Sequence, residues 1–211
     1  PRTLPQTEEI NIHEVLERVC QLVDVESEHQ IEIVRDYDPS IPEMEADRGQ
    51  MVQALLNVCR NAMQAMMENP NPERPPSLTM KTRSIRQFTI GHHRHRLVVR
   101  VDITDNGPGI PEEIQESLFY PMVTGRPEGT GLGLSMVYGI IKQTGGYIYA
   151  DSEVGKGTTF HIMLPRHIIT EEDAAAPIAV DAPAEKKKDL SGSANVLLVE
   201  DEDAVRMGGL R

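Results

Sequence analysis

Gly129-Thr130-Gly131-Leu132-Gly133-Leu134-Ser135 alternates glycine with other residues and runs without a break into Met136, Val137, Ile140 and Ile141, which keep the spacing of one helix face. Glycine at every second position removes the Cβ atoms that would hold a ligand off the backbone, so N–H groups can turn toward an anion. Gly145-Gly146 supplies the helix stop. The loop therefore feeds a helix N-terminus, where unpaired N–H groups and the helix dipole favour a phosphate. Two better-known glycine motifs do not fit. A P-loop needs a Gly-Lys-Ser/Thr end, and Leu134 follows the third glycine here. The dinucleotide fingerprint needs Gly-x-Gly-x-x-Gly after a strand, whereas this run follows a proline-containing loop at 121–128. Taken alone, the loop reads equally well as a flexible turn without a ligand, so the decision falls to the rest of the chain.

Composition narrows the partners. At 211 residues the chain can hold one good core and a tail. A net charge of -12 and a pI near 5.0 argue against a nucleic-acid surface. There is no run of about 18 apolar residues and no signal-peptide pattern, so no membrane contact is expected of this fragment. Cys20 and Cys59 sit among apolar helical positions and read as small buried residues, not a disulfide framework. That suits a reducing cytoplasm, whether or not the parent protein is membrane-anchored.

In chain order, residues 11–28 place Ile12, Val15, Leu16, Val19, Leu22 and Val23 at helical spacing behind Asn11 as N-cap. A strand is expected at 31–37, ended by Pro39 and Pro42. A second helix at 48–68, capped by Asp47, turns Val52, Leu55, Leu56, Cys59, Ala62, Met63 and Met66 toward a core. Its polar exceptions, Asn57 and Asn61, are four apart and share a face. Asparagine is a poor helix former that needs a reason in mid-helix, a solvated pair being the plain alternative. A loop at 70–76 precedes a strand at 78–85. Gly91-His92-His93-Arg94-His95 is expected as an exposed loop, because such closely spaced histidines at a hairpin tip do not converge on one metal without further ligands.

Leu97, Val99, Val101 and Ile103 alternate along a strand that ends at Thr104-Asp105-Asn106-Gly107-Pro108-Gly109-Ile110. A carboxylate at a strand end, followed by two glycines, puts an acceptor where the backbone leaves room for a flat group. Ordinary Asp-Asn-Gly turn chemistry is the alternative. Strands follow at 147–150 and 158–164, joined by 152–157. Beyond His167 the composition changes: 170–193 is rich in Ala, Pro, Glu and Lys and reads as a disordered linker. Residues 195–199 form a short buried-type strand ending in Glu200-Asp201-Glu202-Asp203.

Four motifs thus stand in one order: Asn57-x-x-x-Asn61-Ala62, Asp105-x-Gly107-x-Gly109, Gly129-x-Gly131-x-Gly133 and Gly155-x-Gly157-Thr158. Together they resemble the N, G1, G2 and neighbouring boxes of the ATP-binding catalytic domain of sensor histidine kinases, whose fold is shared with DNA gyrase, Hsp90 and MutL. Leu118-Phe119 resembles the F box, and the likeness covers about residues 10–166. It implies an α/β sandwich, a mixed and largely antiparallel sheet with helices on one face. ATP would lie between the helices and a mobile loop at 120–128.

The resemblance also assigns roles. Asp105 would accept from the adenine amino group, with Gly107 and Gly109 allowing close approach and Thr158 on the adenine side. Asn61 would ligate Mg²⁺ through its side-chain oxygen, which suits a hard cation. Gly129, Thr130, Gly131, Leu132, Gly133 and Leu134 would hold the phosphates, with Arg126 as the cation near the γ-phosphate. Hydrolases of this superfamily carry a water-activating glutamate where this chain has Asn57, and an amide cannot act as a base. This favours phosphoryl transfer to a protein histidine over rapid hydrolysis. Gln64 replaces a lysine that many such kinases carry, which leaves that phosphate contact in question.

His13-Glu14 continues as Val15-Leu16-Glu17-Arg18 without the Asn-Pro or Thr-Pro of an acceptor site. The phosphoacceptor and dimerisation domain, through which the parent would be a homodimer, is therefore expected outside this chain. Autophosphorylation by the fragment alone is expected to be poor. The last residues resemble the opening strand of a response-regulator receiver, with Glu200 and Asp201 as its acidic Mg²⁺ pair. The expected division is a catalytic domain at 1–167, a linker at 168–194 and a truncated receiver start at 195–211. Up to about Gly129 the chain resembles nitrogen-regulation kinases, and from Val137 onward cell-cycle hybrid kinases. Two rival functions remain: an ATP-hydrolysing conformational machine of the gyrase or Hsp90 type, and an inactive docking module.

Overall fold

The computed structural model describes residues 6–70, 74–121 and 133–167. Arg126, Gly129, Thr130, Gly131 and Leu132, most of the loop expected at 120–128, and the linker and receiver start all lie outside the described residues. Those described fall in one compact unit, Pro1–Ala176.

Strand β1 (Glu8–Ile10) leads into helix α1 (Ile12–Glu26), where the Asn11 side chain accepts from the His13 N–H as N-cap. Strands β2 (Glu32–Asp36) and β3 (Met44–Ala46) precede helix α2 (Arg48–Glu68), whose Asp47 cap accepts from the Gln50 N–H. Then come β4 (Ser77–Ile90), β5 (His93–Asp105), a single turn α3 (Glu112–Gln115), α4 (Gly133–Gln143), β6 (Tyr147–Glu153) and β7 (Gly157–Pro165). Five strands form one sheet in the order β2-β4-β5-β7-β6, with β2 parallel to β4 and the other pairs antiparallel; β1 and β3 form a separate antiparallel pair. The expected mixed, largely antiparallel sheet is what the chain builds.

The core lies between this sheet and the helices. From α1 it takes Leu16, Val19, Cys20 and Val23, from α2 Leu55, Cys59 and Met66, and from α4 Val137 and Ile141. Val99, Val101 and Ile103 of β5 face them, as do Phe160, Ile162 and Leu164 of β7. Both cysteines are free and buried, and burial pushes their thiol pKa values up.

Four expectations need correction. Strands β1 and β3 were not foreseen, and β4 continues to Ile90. The histidine stretch is a loop only at Gly91-His92; His93 and His95 lie on β5, and His95 is buried. Met136 does not join the core face of its helix. It is 43% exposed, and its sulfur accepts from Gln53 Nε2 at 3.2 Å and Asn57 Nδ2 at 3.6 Å, linking α4 to α2.

Candidate functional site

Asp105 ends β5 as a buried carboxylate, 5% exposed. Its Oδ1 accepts the Gly107 N–H at 2.9 Å, which turns the chain tightly away from the strand. A Cβ on Gly107 would sit 2.9 Å from that oxygen and 3.2 Å from Met66 Cγ of α2. Only glycine therefore leaves a slot between the carboxylate and the helix. Gly109, at φ +76°, lies where a Cβ would overlap the Glu153 carbonyl, so this loop is pressed against the β6–β7 turn. Asn106 anchors its other side: Oδ1 accepts the Ser77 N–H at 2.9 Å, and Nδ2 donates to the Pro75 carbonyl at 2.8 Å.

Thr158 stands opposite Asp105 in the β5–β7 register, and Ser152 stands opposite Thr158 in the β6–β7 register. The Ser152 hydroxyl takes the Ile110 N–H at 2.8 Å, and Gln115 of α3 donates to the Ile110 and Ser152 carbonyls at 2.7 and 3.2 Å. A hollow opens beside this end, lined by Met66, Asn69, Arg74, Pro76, Asn106 and Gly107. The larger cavity, about 220 Å³, lies on other elements, lined by Cys20, Gln21, Asp24, Ile33 and Arg35.

The second end of the site is on the same helix. Asn57 and Asn61 are half-buried on the α2 face toward α4. A Cβ on Gly133, the first residue of α4, would lie 3.8 Å from Asn61 Nδ2. The asparagine amide thus meets the helix N-terminus onto which the glycine run leads. Asn61 and Met66 are five residues apart, roughly 7.5 Å along the axis, so α2 spaces the two ends rigidly. Gly145, at φ +73°, ends α4, and the Gly146 N–H closes on the Ile141 carbonyl at 2.9 Å.

The structure therefore brings together Asn57, Asn61, Gly133 and Leu134 at one end, and Asp105, Gly107, Gly109 and Thr158 at the other. Gln64 is exposed, and His13 stands apart from both ends. His13 stacks on Tyr37 with ring centroids 4.9 Å apart, its Nε2 is 3.0 Å from Thr82 Oγ1, and burial lowers its pKa. Among the described residues no cluster of three or more metal-ligating side chains occurs, and no helix is long and apolar enough to cross a membrane. Sequence reasoning missed Met66, Ser152 and Gln115 as site residues. Met66 was read as core, and the other two act through strand register and a one-turn helix that local spacing does not reveal.

The family model for histidine kinase-, DNA gyrase B- and HSP90-like ATPases matches residues 46–168, and the chain belongs to that family. It is 47% identical over 201 residues to the sensor kinase CckA of Brucella abortus, covering 92% of this chain and 20% of that protein. It is 49% identical over 155 residues to the sensory histidine kinase/phosphatase NtrB of Vibrio alginolyticus, covering 74% of this chain and 43% of that one. The chain thus spans less than half the length of either relative. The nucleotide-free catalytic domain of histidine kinase ThkA superimposes with a TM-score of 0.62 at 28% identity, covering 77% of this chain and 99% of that domain.

Proposed function

We propose that this domain binds Mg-ATP along α2 and passes the γ-phosphoryl group to a histidine on a separate phosphoacceptor and dimerisation domain, from which a response-regulator receiver takes it. One observation carries the reading: Asp105 with its glycine slot and Asn61 at the start of α4 are held at fixed spacing by one helix. In this reading the Asp105 carboxylate accepts from the adenine amino group, and the space kept open at Gly107 admits the ring. The first turn of α4, with Gly129 to Leu134 and Arg126, holds the phosphates. Asn61 would hold Mg²⁺ through its side-chain oxygen, a hard ligand, and the ion would supply neutralisation of the phosphate charge there.

Asn57 shapes the choice of reaction. Its amide donates to Met136 and has no basic site with which to activate water, which supports transfer over hydrolysis. His13 does not serve as acceptor here. Its Nε2 lies 3.0 Å from Thr82 Oγ1, which also takes the Asp38 N–H at 2.9 Å, so that nitrogen is tied into the fold. The catalytic domain is assigned to 1–167, followed by a linker at 168–194 and the opening of a receiver at 195–211.

Calorimetric titration with Mg²⁺ and a non-hydrolysable ATP analogue tests the reading. Asp105→Asn is expected to abolish binding, and Asn61→Ala to remove its Mg²⁺ dependence. Absence of binding by the unmodified chain would instead support a docking module, and rapid intrinsic ATP turnover would support a conformational ATPase.

A further inference from the structure

Asp105, Thr158 and Ser152 form one row across the ends of β5, β7 and β6, because each is the register partner of the next. Side chains directly opposite in antiparallel pairs project from the same face, and this is the face that carries Ile103, Phe160 and Ala150 toward the helices. Ser152, the edge member of the row, has three partners at its hydroxyl.

Counting protons decides what those partners do. A serine hydroxyl has one proton and two lone pairs. The Gly157 carbonyl, 3.1 Å from Ser152 Oγ, can only accept, and the Ile110 N–H, at 2.8 Å, can only donate. The third partner, the Thr158 hydroxyl at 2.9 Å, can do either. One allocation satisfies all three: Ser152 gives its proton to Gly157, and receives those of Ile110 and Thr158 in its lone pairs. The single hydroxyl proton of Thr158 is then committed to Ser152, and Thr158 offers only lone pairs to a group lying beside Asp105.

We propose that Ser152 is a positioning residue that holds the Thr158 hydroxyl as an acceptor and thereby makes the base end of the site select a 6-amino purine over a 6-oxo purine. The assignment rests on the nucleotide reading above. An amino group donates to the Asp105 carboxylate and to Thr158. A 6-oxo group brings its own lone pairs against theirs, leaving buried acceptors facing an acceptor. Without Ser152 the Thr158 hydroxyl is free to rotate and donate to the oxo group, so part of the discrimination goes while that from Asp105 stays.

ADP and IDP differ in the groups at and beside position 6 of the purine and are not turned over, so their dissociation constants in the presence of Mg²⁺, measured by calorimetry on the whole chain, read the effect directly. Ser152→Ala is expected to lower the IDP/ADP ratio of dissociation constants by about tenfold, and Ser152→Thr, which keeps the hydroxyl, to retain the ratio of the unmodified chain. Thr158→Val removes the acceptor but offers the oxo group no donor, so it is expected to lower the ratio less than Ser152→Ala does, with no further change when Ser152→Ala is added, which keeps the test available if one variant folds poorly. A Ser152→Ala variant that weakens ADP and IDP by the same factor, or neither, would overturn the assignment and leave the nucleotide reading intact. Failure of the unmodified chain to bind either nucleotide would overturn both.

Discussion

Gly155 and Gly157 belong to one short motif and both have left-handed backbone, at φ +82° and +122°, but their surroundings differ. A Cβ on Gly155 meets nothing within 4 Å, whereas on Gly157 it would overlap the Asp105 carbonyl and approach Asn106 Cα at 3.0 Å. The cost of alanine at Gly155 is then the backbone conformation alone, about 1–2 kcal/mol. At Gly157 the same cost is joined by a clash with backbone that cannot move without displacing Asp105. Urea denaturation should show Gly155→Ala losing about 1–2 kcal/mol and Gly157→Ala more than about 3 kcal/mol. Nucleotide affinity should fall only in the latter. The motif was plain in the sequence, but the difference between its glycines was not, because it depends on a neighbour more than fifty residues away. The same holds for Ser152, whose role exists only through its partners in register.

Helix α2 matches its sequence expectation in extent because its signals are local: an Asp47 cap and a continuous apolar face ending at Met66. The opposite case is β1 and β3, three residues each, too short for any period to show. Strand β5 lies between: His93-Arg94-His95 reads as polar loop, and only cross-strand pairing with Ile90, Thr89 and Phe88 makes it strand. The Asp47 cap also carries a pH dependence. Its Oδ1 accepts the Gln50 N–H and its Oδ2 the Gln6 N–H, at 3.0 and 2.9 Å, and these bonds to the charged form lower its pKa. A carboxyl whose folded pKa lies below its unfolded value, about 3.9, stabilises above that value and loses the contribution as pH falls through the folded pKa. Asparagine keeps the cap but cannot accept on both atoms. Asp47→Asn should therefore cost about 1 kcal/mol at pH 7 in chemical denaturation, and the gap should close as the pH falls below about 4.

Joining these elements into one sheet was foreseen only as an architecture; the order β2-β4-β5-β7-β6 and its registers come from long-range pairing that no local pattern encodes. Those registers build a second row, on alternate positions to the core. His161 Nδ1 lies 2.7 Å from Asp102 Oδ1 and Nε2 lies 3.1 Å from Asp151 Oδ2, with Arg100 Nε donating to Asp102 at 2.7 Å, so one imidazole ties β5, β7 and β6. His161→Ala removes the tie and should cost about 2 kcal/mol in the same denaturation. Nucleotide should act on the molecule from the other face, since Asp105, Asn61 and the start of α4 come together only when α2 is seated on the sheet. A ligand that binds the folded chain alone stabilises it by about 2.7 kcal/mol at a hundredfold excess over its Kd, which for a domain of this size raises Tm by about 5–10 °C. Thermal unfolding with Mg²⁺ and the ATP analogue should show that rise, and Asp105→Asn should remove it while leaving the Tm without nucleotide within a few degrees. A rise that survives Asp105→Asn would mean that nucleotide sits elsewhere on the fold. A Tm indifferent to nucleotide in both chains would favour the docking-module reading.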